Sequence, residues 1–211
     1  DGVKFRQDNV GLSARKENWG ETLRSARFDL YRNDIDHVMD NYSLRSGTMP
    51  AMRMASNPAQ RSHSGKLSAT LQMADNWLLD VGLDGQQHRH SSRMGMGAMA
   101  PAMVLAAPYQ DDARIAQYGL YAESRWYAGQ QRRWISGLRA DRWQAQDKRS
   151  PMAAVSAGQA RQEWLGSAFM RLEQDFAPAG VEGAKGQWYI GPGYTERAPD
   201  YWELLGTGKQ S

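Results

Sequence analysis

Lys66–Leu67–Ser68–Ala69–Thr70–Leu71–Gln72–Met73–Ala74–Asp75–Asn76–Trp77–Leu78–Leu79–Asp80–Val81–Gly82–Leu83 is the stretch that decides the fold class. Leu67, Ala69, Leu71 and Met73 alternate with Lys66, Ser68, Thr70 and Gln72. After a tight turn at Ala74–Asp75–Asn76, Trp77, Leu79, Val81 and Leu83 stand opposite Asp80, Gly82, Asp84, Gln86 and His88. Strand side chains repeat with a period of two, so this is an antiparallel hairpin with one apolar and one charged face.

The same pattern extends both ways. Upstream, Val10, Leu12 and Ala14 alternate with polar neighbours before a turn around Asn18–Trp19–Gly20. Ala26, Phe28 and Leu30 then oppose Arg27, Asp29, Tyr31 and Asn33. Downstream, Tyr118, Leu120, Ala122 and Trp126 oppose Gln117, Tyr121, Glu123 and Arg125. After Ala128–Gly129–Gln130–Gln131, Trp134, Ser136, Leu138 and Ala140 oppose Arg139 and Asp141. Trp164, Gly166, Ala168, Met170 and Leu172 oppose Ser167, Phe169, Arg171 and Glu173, and a turn from Pro178 to Gly186 precedes Trp188–Tyr189–Ile190. This predicts roughly eight strands. Short turns alternate with long connections from Ser46 to about Arg61, Arg93 to Asp112, and about Gln146 to Arg161.

Three features point to a membrane β-barrel rather than a soluble one. Short turns alternating with long loops are the habit of outer-membrane barrels. Lys66, Asp80, Asp84, Glu123, Arg125, Arg139, Asp141, Arg171 and Glu173 share the polar face, which suits a wet lumen and not a sandwich core. Trp19, Trp77, Trp126, Tyr127, Trp134 and Trp188 lie beside short turns, where one aromatic girdle belongs, and Trp143 and Trp164 are expected in the opposite girdle. A soluble up-and-down barrel or sandwich accounts for the alternation alone.

Composition is consistent with this. A mean hydropathy of −0.72 leaves no run of the length a membrane helix needs, which says nothing against membrane strands. Net charge is +3 with acids and bases mixed, so no basic block marks a nucleic-acid partner. With no Cys, thiolate sites and disulfides within these residues are excluded. The chain starts at Asp1 without a signal peptide and is expected to be a mature product or an internal fragment.

Candidate chemistry sits at Asp34–Ile35–Asp36–His37–Val38–Met39–Asp40–Asn41–Tyr42. Parity carried on from Arg27 and Asp29 puts His37 and Met39 on the polar face, near the outer end of a strand too long to end in the membrane. An imidazole beside a thioether is a soft pair suited to copper, above all Cu(I), although His-x-Met alone is a common accident. Seven of the 11 methionines, Met49, Met52, Met54, Met94, Met96, Met99 and Met103, fall in two long connections. They read either as weak copper-collecting thioethers or as adaptable packing. His88 and His90 share the polar face as a second candidate pair, and His63 is placed near the outer end of a neighbouring strand.

Enzymatic constellations are weak. Asp34, Asp36 and Asp40 point away from His37 by parity, and Met94–Gly95–Met96–Gly97 lacks the Lys of a phosphate loop. No enzyme and no resident cofactor are expected.

The final segment, Tyr189–Ile190–Gly191–Pro192–Gly193–Tyr194–Thr195–Glu196–Arg197–Ala198–Pro199–Asp200–Tyr201–Trp202–Glu203–Leu204, resembles a barrel strand of TonB-dependent outer-membrane receptors. Its Thr195–Leu204 part, taken with Asp36–His37–Val38–Met39–Asp40–Asn41–Tyr42, resembles their copper-receptor branch. The general likeness covers residues 1–211, read as one partial barrel domain; the copper-specific part rests on the two short stretches. The resemblance implies about 22 antiparallel strands around a plug, of which this chain supplies about a third. It implies a bacterial outer-membrane protein, in contact with lipid and with the TonB complex, that transports copper. In that branch the wall His-x-Met, here His37 and Met39, is completed by a cysteine and a methionine of the plug, which these residues lack. Alternatives are a receptor for a siderophore or other metal chelate, or a passive porin or barrel enzyme.

Overall fold

In the computed structural model, residues 2–45, 47–152, 154–177 and 185–205 are described. The strands are β1 (Gly2–Glu17), β2 (Leu23–Asp40), β3 (Met54–Ser56), β4 (Ala59–Ala74), β5 (Trp77–Ser92), β6 (Met94–Met96), β7 (Gln110–Tyr127), β8 (Arg132–Asp147), β9 (Ala160–Phe176), β10 (Gly186–Ile190) and β11 (Gly193–Thr195). Two short helices, α1 (Ala100–Ala106) and α2 (Tyr201–Leu205), and a 3-10 turn at Pro50–Met52 complete the elements. No helix among the described residues is long and apolar enough to cross a membrane.

All strands join one antiparallel sheet, in which β1 flanks β2 and the order onward is β4, β5, β7, β8, β9. β10 and β11 both pair with β9 and together fill the eighth wall position. The expected eight-strand meander is therefore present. Strands run further into the long connections than the side-chain pattern suggests, taking in Ala59–Arg61, Gln110–Asp112 and Gln146–Asp147. Those ends are rich in Gln and Asp and carry no apolar alternation, yet backbone pairing continues through them. The turn expected from Pro178 falls largely on residues outside those described.

Directly opposite residues share a face, and the register makes both faces continuous. Phe28, Leu67, Leu83 and Leu120 form one cross-strand row. One residue along, Asp29, Lys66, Asp84, Gly119 and Asp141 form the opposite-face row. Burial is inverted relative to a soluble protein: Leu12, Leu120 and Leu138 are 60–68% exposed, whereas Asp29, Asp141 and Glu173 are 5–6% exposed. The buried charges are paired. Arg139 bridges Asp84 (2.7 Å) and Asp141 (2.6 Å), Arg27 holds Asp29 (2.8 Å), and Arg133 and Arg171 both engage Glu173.

Trp77, Trp126 and Trp134 stand opposite one another on the apolar face beside the short turns, forming a girdle. Two aromatic expectations are corrected. Tyr127 lies opposite Arg133 on the polar face. Trp143 shares the parity of Arg139 and Asp141 and is buried, 1% exposed, on the polar face; it is not part of an outer girdle. Trp164 does face outward, with the Arg142 guanidinium 5.8 Å from its ring centre.

Candidate metal site

The continuous strand β2 carries the parity of Arg27 and Asp29 to His37 and Met39, the one irregularity near Met39 lying on β1 between Gly2 and Lys4, so both side chains belong to the polar face. His37 is tied down on both sides. Its ring lies 6.2 Å from that of Phe5 on β1. Its backbone N–H donates to the Pro58 carbonyl (3.2 Å), and its own carbonyl accepts from the Asn57 side-chain amide (2.9 Å). Asp34, Asp36 and Asp40 do occupy the other face. Asp34 binds Arg32 and Arg61, Asp36 accepts from Asn57, and Asp40 accepts the backbone N–H groups of Tyr42 and Ser43.

β3 and β6 prolong the lines of β4 and β5 beyond the main sheet. Asn57 and Arg93 exchange backbone hydrogen bonds (2.9 and 3.3 Å) at the join. Met39 stands opposite Ser56, Ser56 opposite Met94, and Met54 opposite Met96. Since residues two apart share a face, His37, Met39, Met54, Met94 and Met96 all lie on one face of this extension. The thioether side chains there are 39–61% exposed.

The reverse face carries a small core. Ala55 and Gly95 on that side pack under α1, whose Ala100 and Val104 are buried against them with Tyr42 alongside. The small core is made of alanine, glycine and valine, and none of these four methionines is in it. Met49, Met52, Met99 and Met103 lie outside the ladder, each at least half exposed around the 3-10 turn and α1.

His88 and His90 also face the polar side, on rungs just below. His90 is opposite Gln60, which is opposite Ile35 of β2. The His88 Nδ1 meets the Ser62 hydroxyl at 2.8 Å, and His90 stacks on Tyr201 of α2 at 4.3 Å. Both lie beyond the apolar band of their strand, level with Arg89. Burial lowers the pKa of His88, and burial together with His88 pushes that of His90 to about 4, so both rings are neutral near pH 7. They sit two strands away from His37 through β4, as Met94 and Met96 do through β3. Among the described residues, no three His, Asp or Glu side chains converge as a metal cluster. His63 lies opposite Arg32 and faces the apolar side.

Sequence reasoning missed Asn57. It is 0% exposed and its amide donates to Asp36 and to the His37 carbonyl, while its Oδ1 accepts from Arg93 Nε (2.8 Å) and the Tyr109 hydroxyl (2.8 Å). Arg93 continues to the carbonyl of Leu105 at the end of α1 (2.7 Å). Asn57–Pro58 reads locally as a turn, and nothing in the sequence marks it as a buried junction.

A one-sheet wall with a charged inner face, an apolar outer face and a Trp girdle defines a β-barrel section of the outer-membrane receptor type. The profile of the TonB dependent receptor-like β-barrel family matches residues 1–211, and the chain belongs to that family. Among solved structures it is similar to the copper transporter OprC, at 32% identity and a TM-score of 0.85 over 96% of this chain. The match covers 32% of that transporter, so the chain spans about a third of its length. No curated protein matches.

Proposed function

We propose that this chain is a section of the wall of an outer-membrane receptor that takes up copper through the TonB system. The observation that carries the reading is the alignment of the His37 imidazole and the thioethers of Met39, Met54, Met94 and Met96 along one polar face, spread over three adjacent strands. A neutral imidazole and several thioethers form a soft donor set that favours copper, Cu(I) above all, over the hard cations. The similarity to a copper transporter supports it.

In this reading Met54, Met94 and Met96 collect the ion weakly near the mouth. His37 and Met39 then hold it through a ring nitrogen and a thioether sulfur, with the remaining donors coming from the plug. Weak outer sites and a tighter inner one give a downhill path, and movement of the plug driven by TonB removes donors and releases the ion inward. The polar face is the lumen wall, and the Leu- and Trp-bearing face meets lipid.

The test is His37→Ala with Met39→Ala in the full-length receptor. Tight copper binding is expected to vanish while the barrel stays folded and heat-resistant. Undiminished tight binding in the folded variant would overturn the assignment.

A further inference from the structure

The outward face carries a second ordered array, beyond the apolar band. Arg61, Arg89 and Arg114 stand directly opposite one another on β4, β5 and β7. Like charges directly opposite on a sheet destabilise the pairing. Two carboxylates relieve this in part: Asp34 takes Arg61 and Arg32 (both 2.6 Å), and Asp111 takes Arg89 (2.7 Å) and Arg114 (3.3 Å). Four guanidinium groups on two carboxylates leave a surplus of two positive charges. Each guanidinium is also about half exposed, with donors to spare beyond those the carboxylates use.

The height of this row is fixed by the same register. Arg89 is twelve residues from Trp77 on β5, and its partner Arg114 is twelve residues from Trp126 on β7. At about 3.3 Å per residue that is about 40 Å along the strand, or about 30 Å along the membrane normal for a tilt of about 40°. Between the two rows the outward positions of β5 and β7 carry no charge: Leu79, Val81, Leu83, Gly85 and Gln87, and Ser124, Ala122, Leu120, Tyr118 and Ala116. With the Trp row at one interface, the Arg row falls at the opposite one, on the long-loop side.

We infer that Arg61, Arg89 and Arg114, with Arg32, form a binding site for the phosphate groups of a phosphorylated glycolipid in the outer leaflet. Guanidinium forks match phosphate oxygens two at a time, and an anion seated across the row turns the repulsion between neighbouring strands into a clamp. The site rests on the membrane placement of the wall and is independent of copper.

The experiment uses the full-length receptor in detergent, loaded with lipopolysaccharide carrying its lipid A phosphates and analysed by native mass spectrometry. Arg61→Gln with Arg89→Gln and Arg114→Gln is expected to cut the retained lipid about tenfold, the scale of losing a charge-assisted contact. Copper binding is expected to be unchanged in that variant. Enzymatically dephosphorylated lipid is expected to be retained poorly by wild type and variant alike. Asp34→Asn with Asp111→Asn, which frees the guanidinium groups, is expected to raise retention, and it decides the matter should the triple variant not fold. Equal retention by a folded triple variant, equal retention of dephosphorylated lipid, or no gain in the Asp variants would each overturn the site. A wild-type receptor that holds the lipid but not copper would overturn the copper reading and leave this one standing.

Discussion

The side-chain amide of Asn57 donates a hydrogen bond to the backbone carbonyl of His37 at 2.9 Å, from a position with no solvent exposure. The same side chain accepts from Arg93 and Tyr109, so it joins the wall that carries His37 to the strands that carry Met54, Met94 and Met96.

Asn57→Leu keeps the size and removes every one of these bonds. Leaving the buried partners unpaired costs about 1–3 kcal/mol, visible as a lower Tm of the full-length receptor. Copper affinity is expected to fall about tenfold with the shift of the His37 backbone, equivalent to about 1.4 kcal/mol. Asn57→Asp, which keeps the acceptors for Arg93 and Tyr109 but loses the donor to His37, separates the two effects. It too is expected to weaken copper binding, measured by calorimetry, and an unchanged Kd would mean that Asn57 serves stability alone.

Met54→Leu, Met94→Leu and Met96→Leu together conserve volume and remove the sulfur. Leu for Met usually costs less than about 1.5 kcal/mol, so the fold is expected to be retained. The number of weakly held Cu(I) or Ag(I) ions per receptor should fall while the tightest site persists. Metal stoichiometry measured on the purified protein checks this, and an unchanged count would return these residues to packing.

Gly95→Ala tests the helix packed behind the ladder. A Cβ at Gly95 would meet the Ala100 carbonyl oxygen at 2.5 Å and the Val104 nitrogen at 2.7 Å, both backbone atoms that cannot swing aside. Overpacking of this kind costs about 1–3 kcal/mol. Faster proteolysis around α1 is expected, with the main sheet unaffected.

Asp147 governs the connection between β8 and β9. The Arg149 guanidinium, the Ser156 hydroxyl and the Arg149 backbone N–H hold its carboxyl down at about 2, below its ordinary 3.8. A depressed carboxylate contributes stability above the unfolded value and loses it as pH falls through the folded one. The connection is therefore expected to hold at pH 4 and loosen towards about pH 2. Pepsin cleavage within residues 148–159 should rise over that window in wild type and be high throughout in Asp147→Asn.

The sequence by itself determined the faces. Period-two alternation is a property of each strand alone, so the charged wall, the apolar wall, the row of Trp77, Trp126 and Trp134, and the inward parity of His37 and Met39 were all legible without tertiary information. Trp143 was legible too, since it shares the parity of Arg139 and Asp141; placing it by its distance from the strand end alone put it on the wrong side. What only the tertiary structure decided was register beyond the alternating stretches. Met54, Met94 and Met96 sit in connections whose side chains carry no period. The pairing of Ser56 with both Met39 and Met94 sets them on the face that His37 and Met39 share, just as the pairing of Arg89 with both Arg61 and Arg114 builds the outer row. Pairing is made by backbone groups distant in sequence, and a side-chain pattern does not record which N–H meets which carbonyl.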